Sequence, residues 1–430
     1  MVNRFALLFA ASMFACGAST RPTLPMIRTG SDGDKTDNFT SSNYRDANAA
    51  LYTFDSAPPT DVDVLPGEFE PISNFLVGWP SDLFGATALE PFFFDVVKQA
   101  SARVPVNIIV NSRGDKQTAI AALDGVGANM ANVDFFVYPL EILDRSIGET
   151  GNAFWMRDYG PLAVRTKRDA NGASGFRYID TSYYSYRPKD DAVPTQLAGY
   201  YDVPVSRPKL HQEGGNFLSD GQGRCIATTH TLDENGAAFG YAQDDINRIY
   251  QQYFGCRQIT ILPKMENEVT GHVDMYATLN APGEVMVGQV MVPSEDSGNA
   301  AILDQAAQKL LDAGFLVRRV PMPKEFQFEG IDGYGTARSI TAFPTYTNSI
   351  SFAAEGGDAG AVLIPSYPDD VVDENGRVTA RGADINQYLP QTIAMFENAF
   401  PGREILTVNA SKIVYNAGVI HCTTMTVAAH

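Results

Sequence analysis

The segment EGGNFLSDGQGRCIATT, residues 213–229, decides the fold. Glu213–Leu218 predicts a strand, Asp220 and Gly221 a turn, and Cys225–Thr229 a second strand. Residues 244–254 then predict a helix, with Ile246, Ile249, Tyr250 and Tyr253 on one face and Gly255 as its stop. A third strand at Gln258–Leu262 closes the unit, so its order is ββαβ.

The same order recurs on both sides. Downstream, strands at His272–Leu279 and Glu284–Val290 flank Pro282 and Gly283. A helix near 300–313 follows, with Leu303, Ala306, Ala307, Leu310 and Leu311 in register and Gly314 after it. Its closing strand is Leu316–Val320. A third copy spans Asn348–Val408, with a hairpin around Gly356 and Gly357, a strand at Ala361–Ile364, a helix near 385–400 and a strand at Glu404–Val408. Pro390 fits that helix only in its first turn or at a kink. Upstream, looser copies begin at Trp155, with a hairpin through Asn171 and Gly172, and at Phe75–Trp79, running to Tyr138. About five units result, and none can cover its apolar face alone, so neighbours must pack and could close into a ring. The expected fold is one α/β domain of pseudo-symmetric ββαβ repeats.

Composition agrees with a single large core. The 430 residues are 44% hydrophobic and carry a formal net charge of −18, from 32 Lys+Arg against 50 Asp+Glu. That excludes a mostly disordered chain. It also argues against nucleic acid or an anionic membrane as the main partner, since both need basic surfaces. The acidity suits a cationic substrate, and also simply a soluble surface.

Residues 1–16 have a basic start at Arg4 and an apolar run from Ala6 to Ala15, too short to span a bilayer. They read as an export signal of lipoprotein type, with Cys16 the lipidated residue; ordinary secretory cleavage is the alternative. Residues 17–71 read as a flexible tether, and 72–430 as the catalytic domain. Membrane contact is expected only through that lipid anchor, giving a periplasmic, envelope-bound or secreted protein. Cys225 and Cys256 either pair in an oxidising compartment or are two small buried hydrophobes.

Chemistry-bearing clusters lie at repeat starts and near the chain's end. They are Trp155-x-x-Asp158, Glu213-Gly-Gly-Asn216, Gly271-His-Val-Asp274, Tyr346-Thr-Asn348 and Gly418-Val-Ile-His-Cys422. Pseudo-symmetry would bring equivalent strand starts to one centre. Cys422 is a candidate nucleophile, His272 a proton carrier, and Glu213 its orienting acid. Asp158 and Asp274 suit the donors of a guanidinium fork. His272 and Asp274 alternate on a strand, which predicts one shared face. His421 then predicts the opposite face from Cys422, and a structural role; His211, His230 and His430 sit in no motif. Each cluster also has a purely structural reading: a buried Cys in the core, an ion pair, a turn. No metal-ligand spacing and no glycine-rich phosphate loop is present, so neither metal nor cofactor is expected.

The ordered set of motifs resembles the agmatine deiminase and bacterial-type peptidylarginine deiminase family of guanidino-group-modifying enzymes, from about Phe75 to Thr424. The resemblance implies a five-bladed α/β propeller, or pentein, that works without a cofactor. It implies that Cys422 attacks the guanidinium carbon, and that His272 protonates the departing ammonia and then activates water. Asp158 and Asp274 would grip the guanidinium nitrogens, Glu213 would partner the histidine, and Asn348 would stand near the nucleophile. Trp155, Arg187 and Asn216 would contact substrate. Two departures are visible: Asn416-Ala-Gly-Val-Ile replaces a run of glycines before the nucleophile, and Arg187 stands where the peptidylarginine enzymes have two arginines. The expected activity is conversion of peptidyl-arginine, or a related arginine derivative, to citrulline and ammonia. Deimination of agmatine is one alternative; a non-catalytic secreted binder of cationic peptides is another.

Overall fold

The computed structural model describes residues 57–429 except 82–83, 85–88, 138–153, 171, 184–187, 332–336, 357–359 and 373–377. The signal segment, Cys16, Asn171, Arg187 and Gly357 lie outside the described residues.

The fold is mixed α/β. Among the described residues there are five sheets of three or four strands, with two further two-stranded ones. The unit read from residues 213–262 forms as expected, with shifted boundaries. Leu218–Ser219 pairs antiparallel with Arg224–Thr228, and Gln258–Leu262 lies parallel to the latter. The connecting helix is Gln243–Phe254, which buries Ile246, Tyr250, Tyr253 and Phe254. Gly255 ends it at φ 71°, and any side chain there would strike the Asp63 carbonyl. A disulfide joins Cys225 to Cys256 within this unit, with Cα atoms 5.8 Å apart.

The next unit pairs Ala277–Ala281 antiparallel with Glu284–Val290, which runs parallel to Leu316–Met322. Its helix, Ser297–Asp312, is capped by the Asp296 side chain. Leu311 falls outside the buried stripe and is 49% exposed. The third unit pairs Ile350–Phe352, Gly360–Ser366 and Arg403–Asn409 in the same sense. Its helical stretch divides into Gly382–Asn386 and Leu389–Ala399, and Pro390 sits in the first turn of the second piece, where no amide hydrogen is needed. Upstream, Leu162–Thr166, Phe176–Ile179, the helix Val193–Tyr201 and Val205–Ser206 make a fourth unit.

The remaining sheet is assembled from both ends of the chain. Ile72–Gly78, Val106–Val110 and Val133–Val137 are parallel, and Thr424–Ala428 joins Ile72–Gly78 antiparallel. The N-terminal arm is also drawn in. Val62–Val64 pairs with Leu162–Thr166, and Val62, Val64 and Leu65 are buried. Packed structure therefore begins earlier than residue 72, because these apolar side chains cover the edge of a neighbouring sheet. No helix among the described residues is long and apolar enough to cross a membrane.

Candidate active site

Five short turns at strand ends bring the candidate residues together. Asp158 lies on the single turn Met156–Tyr159, and the Arg157 amide donates to the Cys422 carbonyl at 3.1 Å. Glu213 precedes the 3-10 turn Gly214–Asn216, and His272 precedes the 3-10 turn Val273–Met275. Asn348 and Cys422 each precede a strand, at Ile350 and Thr424. Strand alternation is thus not what aligns His272 with Asp274; a tight turn does so, with Val273 buried between them.

Gly215 marks the point of convergence. A Cβ there would lie 2.5 Å from His272 Nδ1, 2.9 Å from Asp158 Oδ1 and 3.1 Å from Asp274 Oδ2. His272 Nε2 meets Glu213 Oε2 at 2.7 Å, which leaves Nδ1 on the side of the two aspartates, 3.6 Å from Asp158 Oδ1. Cys422 is free and buried, and its Sγ accepts from Asn348 Nδ2 at 3.1 Å and reaches Asp274 Oδ2 at 3.5 Å. Asn348 Oδ1 accepts the amides of His421 and Cys422 at 3.0 and 3.3 Å. Asp158 Oδ1, Asp274 Oδ1 and His272 Nδ1 are buried without a hydrogen bond among the described residues. Asp274 thus touches the thiol through Oδ2 and keeps Oδ1 open, and with Asp158 Oδ1 this gives two open acceptors of a kind that suits a planar cation with several N–H donors.

Trp155 is half-buried, stacked at a tilt on Phe154 with centroids 4.3 Å apart. A Cβ on Gly418 would lie 2.5 Å from the Trp155 ring and 3.0 Å from Cys422 Cβ, so this glycine brings the indole and the thiol side by side. Asn216 Oδ1 accepts from the Thr228 amide at 3.0 Å, fixing the turn to the adjoining strand, while its buried Nδ2 has no hydrogen bond among the described residues. Three residues were missed as site neighbours. His421 was expected to face away, but residues 417–423 are not a strand, and its Nδ1 meets Asp274 Oδ2 at 2.7 Å. Glu68, inside the expected tether, bonds His421 Nε2 at 2.7 Å and pairs with Arg157. His230 stands 3.8 Å from Glu213 Oε2. No spacing in the sequence announces Glu68 or His230; the pairing of His421 with Cys422 in one motif was the only available signal.

Residues 64–427 match the family model of the Porphyromonas-type peptidyl-arginine deiminases. The chain belongs to this family. It is also similar to the agmatine deiminase of Pseudomonas aeruginosa, 24% identical over 86% of this chain and 96% of that one. The agmatine deiminase of Pseudomonas syringae pv. tomato is 22% identical over 87% and 98%. Among solved structures, the agmatine deiminase of Enterococcus faecalis superposes with a TM-score of 0.67 at 23% identity, covering 87% of this chain and 98% of that one. These structural likenesses establish the shared fold.

Burial and charge set the protonation of this deiminase-family site. Burial drives the Cys422 thiol well above its ordinary range, with Asp274 and Asp158 adding to the rise and Asn348 opposing it. Burial acts against His272, but Glu213 and Asp158 overcome it and raise the imidazole to about 10. Asp158 is pushed up to about 8 by burial, with Glu213 and Asp274 adding to the shift and His272 opposing it. Near neutral pH the pocket therefore favours a neutral thiol and a protonated imidazole, and it opposes ionisation of Asp158 more than water does.

Proposed function

We propose that this protein hydrolyses the guanidino group of arginine side chains in peptides, or of a closely related arginine derivative, to a ureido group and ammonia. The observation that carries this reading is the convergence of His272 Nδ1, Asp158 Oδ1 and Asp274 Oδ2 around Gly215, with Cys422 Sγ 3.5 Å from that same Asp274 oxygen.

A guanidinium keeps its proton at any physiological pH and is a poor electrophile until held and polarised. Asp158 and Asp274 anchor its N–H groups, and the incoming cation favours the ionised form of Asp158. The same cation offsets the two carboxylates and lets Cys422 ionise. The thiolate attacks the guanidinium carbon, forming a C–S bond. A C–N bond then breaks, and His272 gives its Nδ1 proton to the departing ammonia. The neutral imidazole next takes a proton from water, whose oxygen attacks the same carbon. The C–S bond breaks, leaving a ureido group and regenerating Cys422. Glu213, on Nε2, keeps the ring turned so that Nδ1 does this work.

The five sheets, one of them sewn from both chain ends, support closure of five units into a propeller around this centre. The Cys225–Cys256 disulfide supports residence in an oxidising compartment, in keeping with an exported, lipid-anchored or secreted protein. The test is a panel of agmatine, free arginine, and peptides with internal or C-terminal arginine, with ureido product and ammonia measured for wild type and Cys422→Ala. Product from peptides with wild type alone is expected. No product from any guanidine would defeat the enzyme reading, and product from agmatine alone would move the substrate.

A further inference from the structure

Behind Asp274 runs a chain of alternating charge that the reaction above does not use. Glu68 pairs through one oxygen with Arg157 Nη1, and its other oxygen lies 2.7 Å from His421 Nε2. The second ring nitrogen, Nδ1, lies 2.7 Å from Asp274 Oδ2. Arg157 Nε also reaches the His421 carbonyl, at 3.4 Å. His421 and Asp274 are almost fully enclosed, whereas the Glu68 side chain is 23% exposed.

The geometry has a chemical consequence. A carboxylate oxygen only accepts, and a neutral imidazole carries hydrogen on only one nitrogen. A ring held at 2.7 Å between two carboxylates satisfies both contacts when both nitrogens are protonated. A ring bonded at both ends also cannot turn. It therefore fixes Asp274 by Oδ2 and leaves Oδ1, which has no hydrogen bond among the described residues, for another donor.

We propose that Glu68 and His421 are positioning residues: Glu68 keeps His421 doubly protonated, and the imidazolium aligns Asp274 and eases ionisation of the neighbouring Cys422. The proposal deepens the deiminase reading, on which it rests for the cation that Asp274 Oδ1 receives. The charged groups facing His421 are Glu68, Arg157 and Asp274, and Asp274 Oδ2 in turn reaches Cys422 Sγ. Burial and Arg157 work against the imidazolium, and Glu68 and Asp274 work for it, with the net result that His421 titrates above its ordinary value. Glu68 is itself held down at about 2: burial opposes this, but Arg157 and His421 prevail.

The test uses the full chain without substrate. The rate of Cys422 alkylation by iodoacetamide is followed by mass spectrometry from mildly acidic to alkaline pH, in wild type, Glu68→Gln and His421→Asn. The side-chain amide of Glu68→Gln would still accept from Nε2 but would carry no charge, so His421 loses its proton within the range. Glu68→Gln is expected to match wild type at low pH and to fall behind as pH rises, by about tenfold at the alkaline end. His421→Asn is expected to be slower by about tenfold throughout. A Glu68→Gln profile parallel to wild type at every pH would overturn the proposal, since a constant offset reports access to the thiol and not protonation. If His421→Asn does not fold, Glu68→Gln decides alone. Citrulline formation by wild type is scored separately, so failure of the deiminase reading and failure of this proposal remain distinct.

Discussion

Asn348 grips Cys422 at both ends: its Nδ2 donates to Sγ at 3.1 Å while its Oδ1 accepts the Cys422 amide at 3.3 Å. One side chain thus sets both the position of the thiol and part of its charge balance. The donor favours the thiolate, against the burial and the aspartates that favour the thiol. Asn348→Ala should lower kcat by about 100-fold, the usual effect of deleting one preorganised donor to a developing anion. Asn348→Asp should be lower still, because it adds a third carboxylate beside the sulfur. Steady-state kinetics on folded variants checks both, and equal kcat in wild type and Asn348→Ala would remove this role.

A bound guanidinium should ionise Cys422. The thiol is held protonated by burial together with Asp274 and Asp158, so neutralising those aspartates lowers its pKa. Ultraviolet thiolate absorbance, taken as the difference between wild type and Cys422→Ser, should increase when a non-reactive guanidine is added at about pH 7, near the ordinary cellular value. An unchanged difference spectrum would show that the cation does not set the state of the sulfur.

The pH dependence of substrate capture follows from Asp158. Its carboxyl is raised to about 8, chiefly by burial, so it gains its charge later than an ordinary carboxyl as pH rises. KM should fall as pH rises through about 8, and Asp158→Asn should flatten that limb. Stability has the opposite sign. A carboxyl whose folded pKa is raised costs folding free energy at pH above the unfolded value of about 4, and nothing below it. Asp158→Asn should therefore be more stable than wild type at about pH 8, with the gap closing towards about pH 4 in denaturant titrations.

Gly215 admits no side chain without disturbing the site. Gly215→Ala would place a methyl 2.5 Å from His272 Nδ1 and 2.9 Å from Asp158 Oδ1. The backbone there is ordinary, so the cost arises from crowding, about 1–3 kcal/mol. Activity should fall by at least about 100-fold, because displacement by about 1 Å is enough to misalign reacting groups. Melting temperature and kcat/KM measured together would separate the two effects.

The disulfide should matter for stability. Cys225 and Cys256 are 31 residues apart in sequence, and opening a loop of that length costs about 3–4 kcal/mol. The double Ala variant should melt well below wild type, and added reductant should lower the wild-type melting point but not that of the variant.

The repeats were legible because each carries two independent signals, an alternating or apolar run and a glycine stop. Ile246, Tyr250 and Tyr253 before Gly255 show both, and they pack as read. Boundaries near the centre were less legible. Residues 213–217 and 272–276 read as parts of strands, yet tight turns occupy them, since aiming several side chains at one point requires the chain to bend. Cys422, His272, Glu213, Asp158, Asp274 and Asn348 were named from motif order, and they do converge. Glu68 was not legible, as its partners Arg157 and His421 lie far along the chain and the surrounding residues are mostly polar and turn-forming.

The pairing of Thr424–Ala428 with Ile72–Gly78 has a temporal consequence. Synthesis runs from the N-terminus, so Ile72–Gly78 must wait for the last stretch of chain before it acquires this neighbour. Cys422, the proposed nucleophile, arrives with that same stretch. Such long-range closure is slow to form. The thiol and the strand that frames it therefore come into place together, only after residues 422–428 have been synthesised and have paired with Ile72–Gly78.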